Sequence, residues 1–520
     1  VDLLWNGGIG TYVKSSQETN AEVGDAQNNW LRINGNELRC KVVGEGGNLG
    51  LTQLGRIEYA QAGGRINTDF IDNSAGVDCS DHEVNIKILL NQVMQAGQLD
   101  ARGRNDLLAQ MTDEVATLVL RNNYQQTQTI SMMERLTGAR IGAKQHFISV
   151  LEDEGILDRD LEQLPHDEEL SARRAGGQGL CRPELSVLLS YSKIMLYRQI
   201  LDSDIPEDPW LSDELKRYFP LPLQEKYSAF MTDHRLKREI IATQVTNSLV
   251  NRMGASFALR MHEDTGATAA EVARAFTIAR EIFKAREFWQ KIEALDNRVN
   301  SELQISAMLE MWNLLRQATR WLLNQPGNHL NIRASIERLQ PGLKVIEKTI
   351  KQSLNAIEKA QVEERALPLI EGGMPKALAQ RAASLHLLYP ALDVVETAAL
   401  RHTDELRVAA VFFGLGDDLG LKWLRASVEN LSVESQWHVH ARGNLRDELY
   451  IQHRRLAGRV LEACPDARDP VGRWLQDNAE HVERVSLMLK DMQRLPSMDY
   501  AIVSVAVSSL DQLLLETEVP

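Results

Sequence analysis

The chain contains little cysteine, and no two cysteines stand close together in it. The four cysteines among 520 residues are Cys40, Cys79, Cys181 and Cys464. None belongs to a C-x-x-C pair, so nothing indicates a zinc knuckle or a disulfide framework. Isolated thiols in a large chain are typical of a reducing compartment, and we therefore expect a cytoplasmic protein.

Long apolar runs and an excess of positive charge are also missing. The longest apolar stretch, around 408–415, is far shorter than the roughly 20 residues of a membrane-spanning helix and ends in Gly-Asp-Asp. No signal-peptide pattern is visible. The formal net charge is -14 and the pI is near 5.5, which disfavours binding to a phosphate backbone. We therefore expect neither a membrane nor a nucleic-acid partner.

The first 85 or so residues are rich in Gly and Asn and carry short β-like runs. We predict strands at Asp2–Trp5, Leu38–Val43 and Ile66–Ile71. Between the last two, Leu54 and Ile57 have helical spacing, and a glycine, Gly63, follows as a natural stop. Strand, glycine loop, helix and strand in this order predict a parallel sheet in an α/β domain. A predicted strand at the first residue leads us to expect a piece of a larger domain.

From Val84 onward the sequence reads as one helix after another, with no convincing β-alternation after Ile71. Pro183 suits the first turn of a helix, and Thr268 with Glu271 forms a capping-box pattern. We therefore predict a partial Rossmann-like α/β domain at 1–85 and an all-α region at 86–520. Sub-boundaries are expected near 175 and 365, and the fold is mainly α overall.

Two polar, glycine-rich segments follow the first two predicted strands. They are "NGGIGTYV" at 6–13 and "GEGGNLGLT" at 44–52. Glycine lets backbone N–H groups approach a ligand closely, and loops at the carboxyl ends of parallel strands are where ligands bind in open α/β sheets. Each loop alone is a weak signal because neither is G-x-G-x-x-G. Two such loops at one edge favour a ligand site over tight turns.

The stretch "NSAGVDCSDHE", residues 73–83, concentrates reactive side chains. A metal site on Asp78, Asp81, His82 and Glu83 lacks the paired spacing that helical ligands need. A nucleophile at Cys79 or Ser80 beside His82 is equally poorly supported, because catalytic partners are usually distant in sequence. The simplest interpretation is a capping box, Ser80-x-x-Glu83, before an apolar run. A capping serine keeps its hydroxyl proton free to bind a carboxylate.

Taken together, these segments resemble glutamate dehydrogenases. "VVGEGGNLGLT" is similar to their "VEGANGPTT" stretch, and "NSAGVDCSDHE" is similar to their "NAGGV-x-x-S-x-x-E" motif. The sequence of residues 1–91 and of the long helical tail resembles that of the large NAD-specific glutamate dehydrogenases of bacteria. The resemblance is to their C-terminal part, which comprises the end of the NAD domain and the appended helical region.

The resemblance implies a role for individual residues of both loops. Asn73 would meet the nicotinamide carboxamide, and Asn48 would lie along the cofactor ribose beside Gly46 and Gly47. Ser80 would bind the distal carboxylate of the substrate, and Val77 would pack against its side chain. A hydroxyl at a helix start favours glutamate over an apolar amino acid.

The implied activity is the NAD-dependent oxidative deamination of L-glutamate to 2-oxoglutarate and ammonia by a homo-oligomer. Thr11 departs from the family pattern, since many relatives have asparagine there, and Ala75 replaces a glycine. No segment matches the family's phosphate loop, catalytic lysine or catalytic aspartate. We therefore assign neither catalytic residues nor a metal, and expect the chain to be inactive alone. Two alternatives stay open: a helical oligomerisation or regulatory module with a non-catalytic nucleotide-binding remnant, and a generic nucleotide-binding protein.

Overall fold

A computed structural model describes residues 1–325, 330–353, 356–433 and 436–517. The chain divides into two compact units, Val1–Ala273 and Arg274–Pro520. Helices dominate both units, and the strands lie within the first 45 residues among those described. The prediction of a small α/β part followed by a mainly α chain is confirmed.

The α/β part contains four short strands, arranged as two parallel pairs. Strand β1 (Leu3–Asn6) pairs with β4 (Val42–Glu45), and β2 (Val13–Lys14) pairs with β3 (Ile33–Asn34). In the first pair Leu3 stands opposite Val42 and Asn6 opposite Glu45. Because both strands run the same way, the loops that follow them leave from one edge. The first two predicted strands are thus confirmed, the second four residues later than expected.

The predicted third strand, Ile66–Ile71, is wrong. Only Arg65 makes a parallel bridge, to Val42, and the chain then turns into the short helix α3 (Asp69–Asp72). The cause is polar. The carboxylates of Asp69 and Asp72 accept hydrogen bonds from the amides of Leu49 and Glu45, at 2.8 and 3.0 Å. Those contacts draw the chain across the end of β4 and prevent it from extending beside it.

Helix α2 (Gln53–Gln61) is confirmed in type and position. The hydroxyl of Thr52 accepts the amide of Gly55 at 3.0 Å and begins the helix. Gly63, with φ +95°, leads the chain away from its end. Through Tyr59 the helix joins a small core that also contains Val13, Val43, Leu51 and Ile66.

The predicted capping box at Ser80 is wrong, because helix α4 (Ser74–Gln95) begins six residues earlier. Ser80 and Glu83 lie within the helix, where Glu83 pairs with Lys87. The other two predicted helix starts are confirmed. The amide of Thr268 donates to the Glu271 carboxylate at 2.7 Å, and Pro183 lies in the first turn of its helix.

One of the remaining helices of the first unit lies between β2 and β3, and the others follow α4 in the chain. They are α1 (Asn20–Val23), α5 (Ala101–Thr137), α6 (Ile141–Asp153), α7 (Asp167–Ala175), α8 (Arg182–Leu201), α9 (Ser212–Tyr218), α10 (Leu221–Met231), α11 (Lys237–Met253) and α12 (Phe257–Thr265). Helix α13 (Ala269–Ile282) contains the point of division between the units. The compact unit that begins at Val1 thus extends well beyond the α/β residues.

The second unit contains helices and their connecting turns, and no strand, in its described residues. Its helices are α14 (Ala285–Glu293), α15 (Ser301–Leu323), α16 (Ile332–Ser353), α17 (Ala356–Glu371), α18 (Lys376–Ser384), α19 (Tyr389–Leu400), α20 (Glu405–Asp418), α21 (Leu421–Glu429), α22 (Gln436–Ala463), α23 (Pro470–Asp477), α24 (Ala479–Met492) and α25 (Tyr500–Glu516). Across the described part of the chain, no helix combines the length and apolar character needed to cross a membrane.

Candidate functional site

The loops that follow β1 and β4 lie directly against each other. The amide of Gly47 donates to the carbonyl of Asn6 at 2.9 Å, and the Thr11 hydroxyl donates to the Leu49 carbonyl at 2.8 Å. The amide of Tyr12 donates to Gly50 O, also at 2.8 Å. The two glycine segments therefore form one continuous surface at the carboxyl end of the parallel strands, as their positions in the sequence predict.

Glycine is required where the two loops touch. A Cβ at Gly47 would stand 2.5 Å from the carbonyl oxygen of Gly8, which is backbone and cannot rotate away. A Cβ at Gly46 would stand 2.6 Å from the ring of Trp5. The backbone at 46–47 thus stays close to the neighbouring loop, and both residues remain partly accessible to solvent.

A buried ion pair holds the second glycine-rich loop in place. The guanidinium of Arg56 donates to both carboxylate oxygens of Glu45, at 2.7 and 3.0 Å, and lies 3.1 Å from Asp69 Oδ1. Glu45 also accepts the amide of Leu51 at 3.2 Å, and Leu49 adopts φ +60°. Burial raises the pKa of the Glu45 carboxyl, while the hydrogen bonds and charge of Arg56 oppose that rise. The buried ion pair between Arg56 and Glu45 therefore holds both ends of the loop from Glu45 to Leu51 in place.

Asn48 and Asn73 come together although 25 positions separate them. Asn73 ends α3 and precedes α4, and its Nδ2 donates to Asn48 Oδ1 at 2.9 Å. Asn48 is exposed and Asn73 is half-buried. Among the described residues, neither Asn48 Nδ2 nor Asn73 Oδ1 has a hydrogen-bond partner. The pair thus presents one free amide donor and one free amide acceptor to solvent.

Val77 and Ser80 lie on the same face of α4 as Asn73, at helical positions four and seven residues later. Val77 is 68% exposed, and Ser80 is also exposed. The Ser80 hydroxyl donates to the carbonyl of Gly76 at 3.3 Å. Seven residues of helix place Ser80 about 10 Å beyond Asn73 along the axis. This accessible face therefore offers an amide, an apolar side chain and a hydroxyl in sequence.

The reactive side chains of the same stretch face elsewhere. His82 is 1% exposed and stacks on Tyr218 with ring centroids 4.2 Å apart, and burial lowers the pKa of its imidazole. Cys79 is exposed, so it does not share the buried surroundings of His82. Within the described ranges, no group of three His, Cys, Asp or Glu side chains could hold a metal ion.

Helix α5 anchors the junction between α3 and α4 through residues that the sequence did not indicate. Asn123 Nδ2 donates to the carbonyl of Ile71 at 2.8 Å and to the hydroxyl of Ser74 at 3.0 Å. Asn122 donates to the Asp78 carboxylate at 2.7 Å. Two adjacent asparagines within an amphipathic helix resemble any solvated face, so only the fold reveals this contact.

Comparison with known families assigns both ends of the chain to the same kind of protein. Residues 177–512 match the family described as "Glutamate dehydrogenase, C-terminal". Residues 1–133 match "Bacterial NAD-glutamate dehydrogenase, catalytic domain". The second match contains every residue of the two loops and of the exposed α4 face.

Curated relatives agree over nearly the whole chain. The NAD-specific glutamate dehydrogenase of Halomonas elongata is 47% identical over 518 residues, that of Pseudomonas aeruginosa 45% over 516, and that of Mycobacterium tuberculosis 37% over 516. Each alignment covers 99% of this chain and 32% of the relative. The chain thus spans about a third of the length of the curated relatives it matches, and it belongs to the bacterial NAD-specific glutamate dehydrogenase family.

Proposed function

We propose that the complete gene product oxidises L-glutamate to 2-oxoglutarate and ammonia with NAD, and that this chain supplies the surface that holds the nicotinamide carboxamide and the substrate side chain. The observation that carries the proposal is the hydrogen bond between Asn48 and Asn73. It joins the two motifs on which the family resemblance rests, and it leaves their remaining amide groups facing solvent.

The residues present fit the cofactor. A primary carboxamide offers one acceptor and one pair of donors, which complements the free Nδ2 of Asn48 and the free Oδ1 of Asn73. A ribose would lie beside Asn48, where Asn48 is exposed and the backbone at Gly46 and Gly47 is partly accessible. When bound, NAD supplies the hydride acceptor of the reaction. The asparagines would fix the orientation of the ring that receives the hydride.

The exposed face of α4 fits an amino acid with a carboxylate side chain. Val77 would pack against the methylene groups, and Ser80 would donate its hydroxyl proton to the distal carboxylate. The hydroxyl now donates to Gly76 O over 3.3 Å, a long contact that a charged acceptor would replace. Ser80 lies in the second turn of α4, so its hydroxyl, rather than the helix terminus, provides this selectivity.

The acid–base groups stay unassigned, since no lysine or aspartate here is placed by a matching motif. The inactivity of this chain by itself remains a prediction. The test is to assay NADH formation from L-glutamate with the complete gene product and with this chain alone, using L-norvaline and NADP as controls. Glutamate- and NAD-dependent turnover by the complete product supports the proposal. Turnover of norvaline at an equal rate would contradict it.

We also propose that the protein is a cytoplasmic homo-oligomer without nucleic-acid or membrane partners. Its four cysteines are free thiols, and large apolar side chains such as Trp437 (72% exposed) and Leu515 (63% exposed) lie on the surface of the second unit. Association would remove these side chains from water. Light scattering after size exclusion tests this, and a monomer at every concentration would contradict it.

A further inference from the structure

Arg182, at the start of α8, makes two hydrogen bonds to Asn67, which follows α2, and two to helix α5. Its Nε and Nη2 both donate to the side-chain oxygen of Asn67, at 3.0 and 2.9 Å. Its Nη1 donates to Ser131 Oγ and to a carboxylate oxygen of Glu134, each at 2.9 Å. Arg182 is only 8% exposed. Loss of these contacts is costly because they are hydrogen bonds from a charged and buried guanidinium.

The contacts continue from Asn67 to the residue that precedes Asn73. Asn67 Nδ2 donates to Asp72 Oδ1 at 2.8 Å, and Asp72 Oδ2 accepts the amide of Glu45 at 3.0 Å. Burial raises the pKa of the Asp72 carboxyl, and Asn67, the Glu45 amide and the charge of Arg182 oppose that rise. Asp72 therefore bridges the two loops by accepting both hydrogen bonds, and the positive charge of Arg182 on α8 favours the ionised carboxylate.

A second arginine serves α8 without reaching these loops. Arg173 donates to Glu184 at 2.9 Å, and Glu184 accepts the amide of Cys181 at 2.7 Å. Arg173 and Glu184 are both largely buried, at 10% and 1% side-chain exposure. This pair stabilises the beginning of α8 from within the helical residues. Because this pair does not contact Asn67, substituting Arg173 tests the effect of a less stable α8 in which the contact between Arg182 and Asn67 has not been removed directly.

We infer that Arg182 is a positioning residue for the carboxamide site, acting through Asn67 and Asp72 on Asn73. The inference rests on the proposed function and extends it to a residue outside the matched catalytic-domain region. Asn67 lies in the range 1–133, and Arg182 lies in the range 177–512. The first helix of the C-terminal family region is thus part of the structure that holds the cofactor loop.

The kinetic test compares Arg182→Met, Asn67→Ala and the double variant in the complete gene product, with Arg173→Met as the matched control. Loss of hydrogen bonds to a charged group should raise the KM for NAD about tenfold in each single variant. The double variant should show little further increase, because both substitutions break the same contact. Arg182→Lys keeps the charge but loses the planar fork, so it should restore only part of the affinity. Independent, multiplying effects of the two substitutions would overturn the inference.

A second measurement does not depend on activity. Amide hydrogen exchange across 66–74, without ligand, should become about tenfold faster in Arg182→Met and Asn67→Ala and change clearly less in Arg173→Met. Equal changes in all three variants would indicate a general loss of stability and overturn the inference. If the unaltered gene product fails to oxidise glutamate, the proposed function falls, and the exchange data still decide whether Arg182 positions the loop.

Discussion

Asn73 donates a hydrogen bond to Asn48 across 2.9 Å, and this contact connects the glycine loop after β4 to the junction of α3 and α4. Each asparagine depends on the other for its orientation, because the bonded amide atoms fix which atoms remain free. The two side chains therefore act as one unit in the proposed carboxamide site, and their energetic effects should be coupled.

Asn48→Ala and Asn73→Ala test that coupling. Each variant should raise the KM for NAD by about tenfold, since each removes one contact to the carboxamide and misorients the other amide. The double variant should cost clearly less than the product of the single effects. Initial-rate kinetics on the complete gene product measure this. Asn105→Ala, at an exposed position of α5, is the control, and an equal effect there would contradict the assignment.

Ser80 and Cys79 are adjacent and both exposed, so they form a natural pair of test positions. Ser80→Ala should raise the KM for glutamate about tenfold and leave the KM for NAD nearly unchanged, because one charge-assisted hydrogen bond is lost. Cys79→Ala should change neither constant, since the thiol lies off the proposed face. The reverse result, with Cys79 the sensitive position, would show that the wrong face of α4 has been chosen.

Local patterns in the sequence predicted the elements whose causes are local. Helix α2 has its stop at Gly63, and the loops after β1 and β4 have the glycines that their contact requires. The failures involve distant partners. The pattern of Ile66–Ile71 predicts a strand, but Asp69 and Asp72 accept hydrogen bonds from the amides of Leu49 and Glu45, and the chain forms a short helix instead.

The helix start at Ser74 shows the same limit. Ser80 and Glu83 fit a capping box, but α4 begins at Ser74. The hydroxyl of Ser74 accepts a hydrogen bond from Asn123, about 50 residues away in the sequence. The family resemblance selected Asn48 and Asn73 without any geometry, whereas the supporting contacts of Arg56 and Arg182 have no recognisable spacing. The roles of Asn48 and Asn73 therefore stay predictions from the sequence, while the residues that hold them were found only in the fold.

Gly47→Ala should destabilise the site through backbone crowding. The added Cβ would lie 2.5 Å from Gly8 O, so one loop must move, at a cost of about 1–3 kcal/mol. Urea unfolding should detect the loss, and the KM for NAD should rise with it. Gly142→Ala is the matched control because its Cβ meets nothing closer than 3.8 Å within α6. That variant should be as stable as the parent or slightly more so, and an equal loss in both would contradict the crowding argument.

A buried carboxyl in the second unit gives a prediction for pH. Asp393 is 2% exposed, accepts hydrogen bonds from Trp321 Nε1 at 2.9 Å and Arg454 Nη1 at 3.2 Å, and has its pKa raised to about 6 by burial. The unfolded chain loses this proton near pH 4. Between about pH 4 and 6 the folded state therefore binds more protons, and the stability due to this group falls as pH rises.

Asp393→Asn removes that titration while keeping an oxygen for Trp321 and Arg454. Oδ2 has no hydrogen-bond partner among the described atoms, so an amide nitrogen can replace it without breaking a contact. The stability of the variant relative to the parent should increase by on the order of 3 kcal/mol between pH 4 and 7, because the pKa of Asp393 is about 6 in the folded state and about 4 in the unfolded chain. Urea unfolding at both pH values measures the change, with exposed Asp466→Asn as the control. Parallel pH profiles for Asp393→Asn and the parent would show that the pKa of Asp393 is the same in the folded and unfolded chains, and would contradict the prediction.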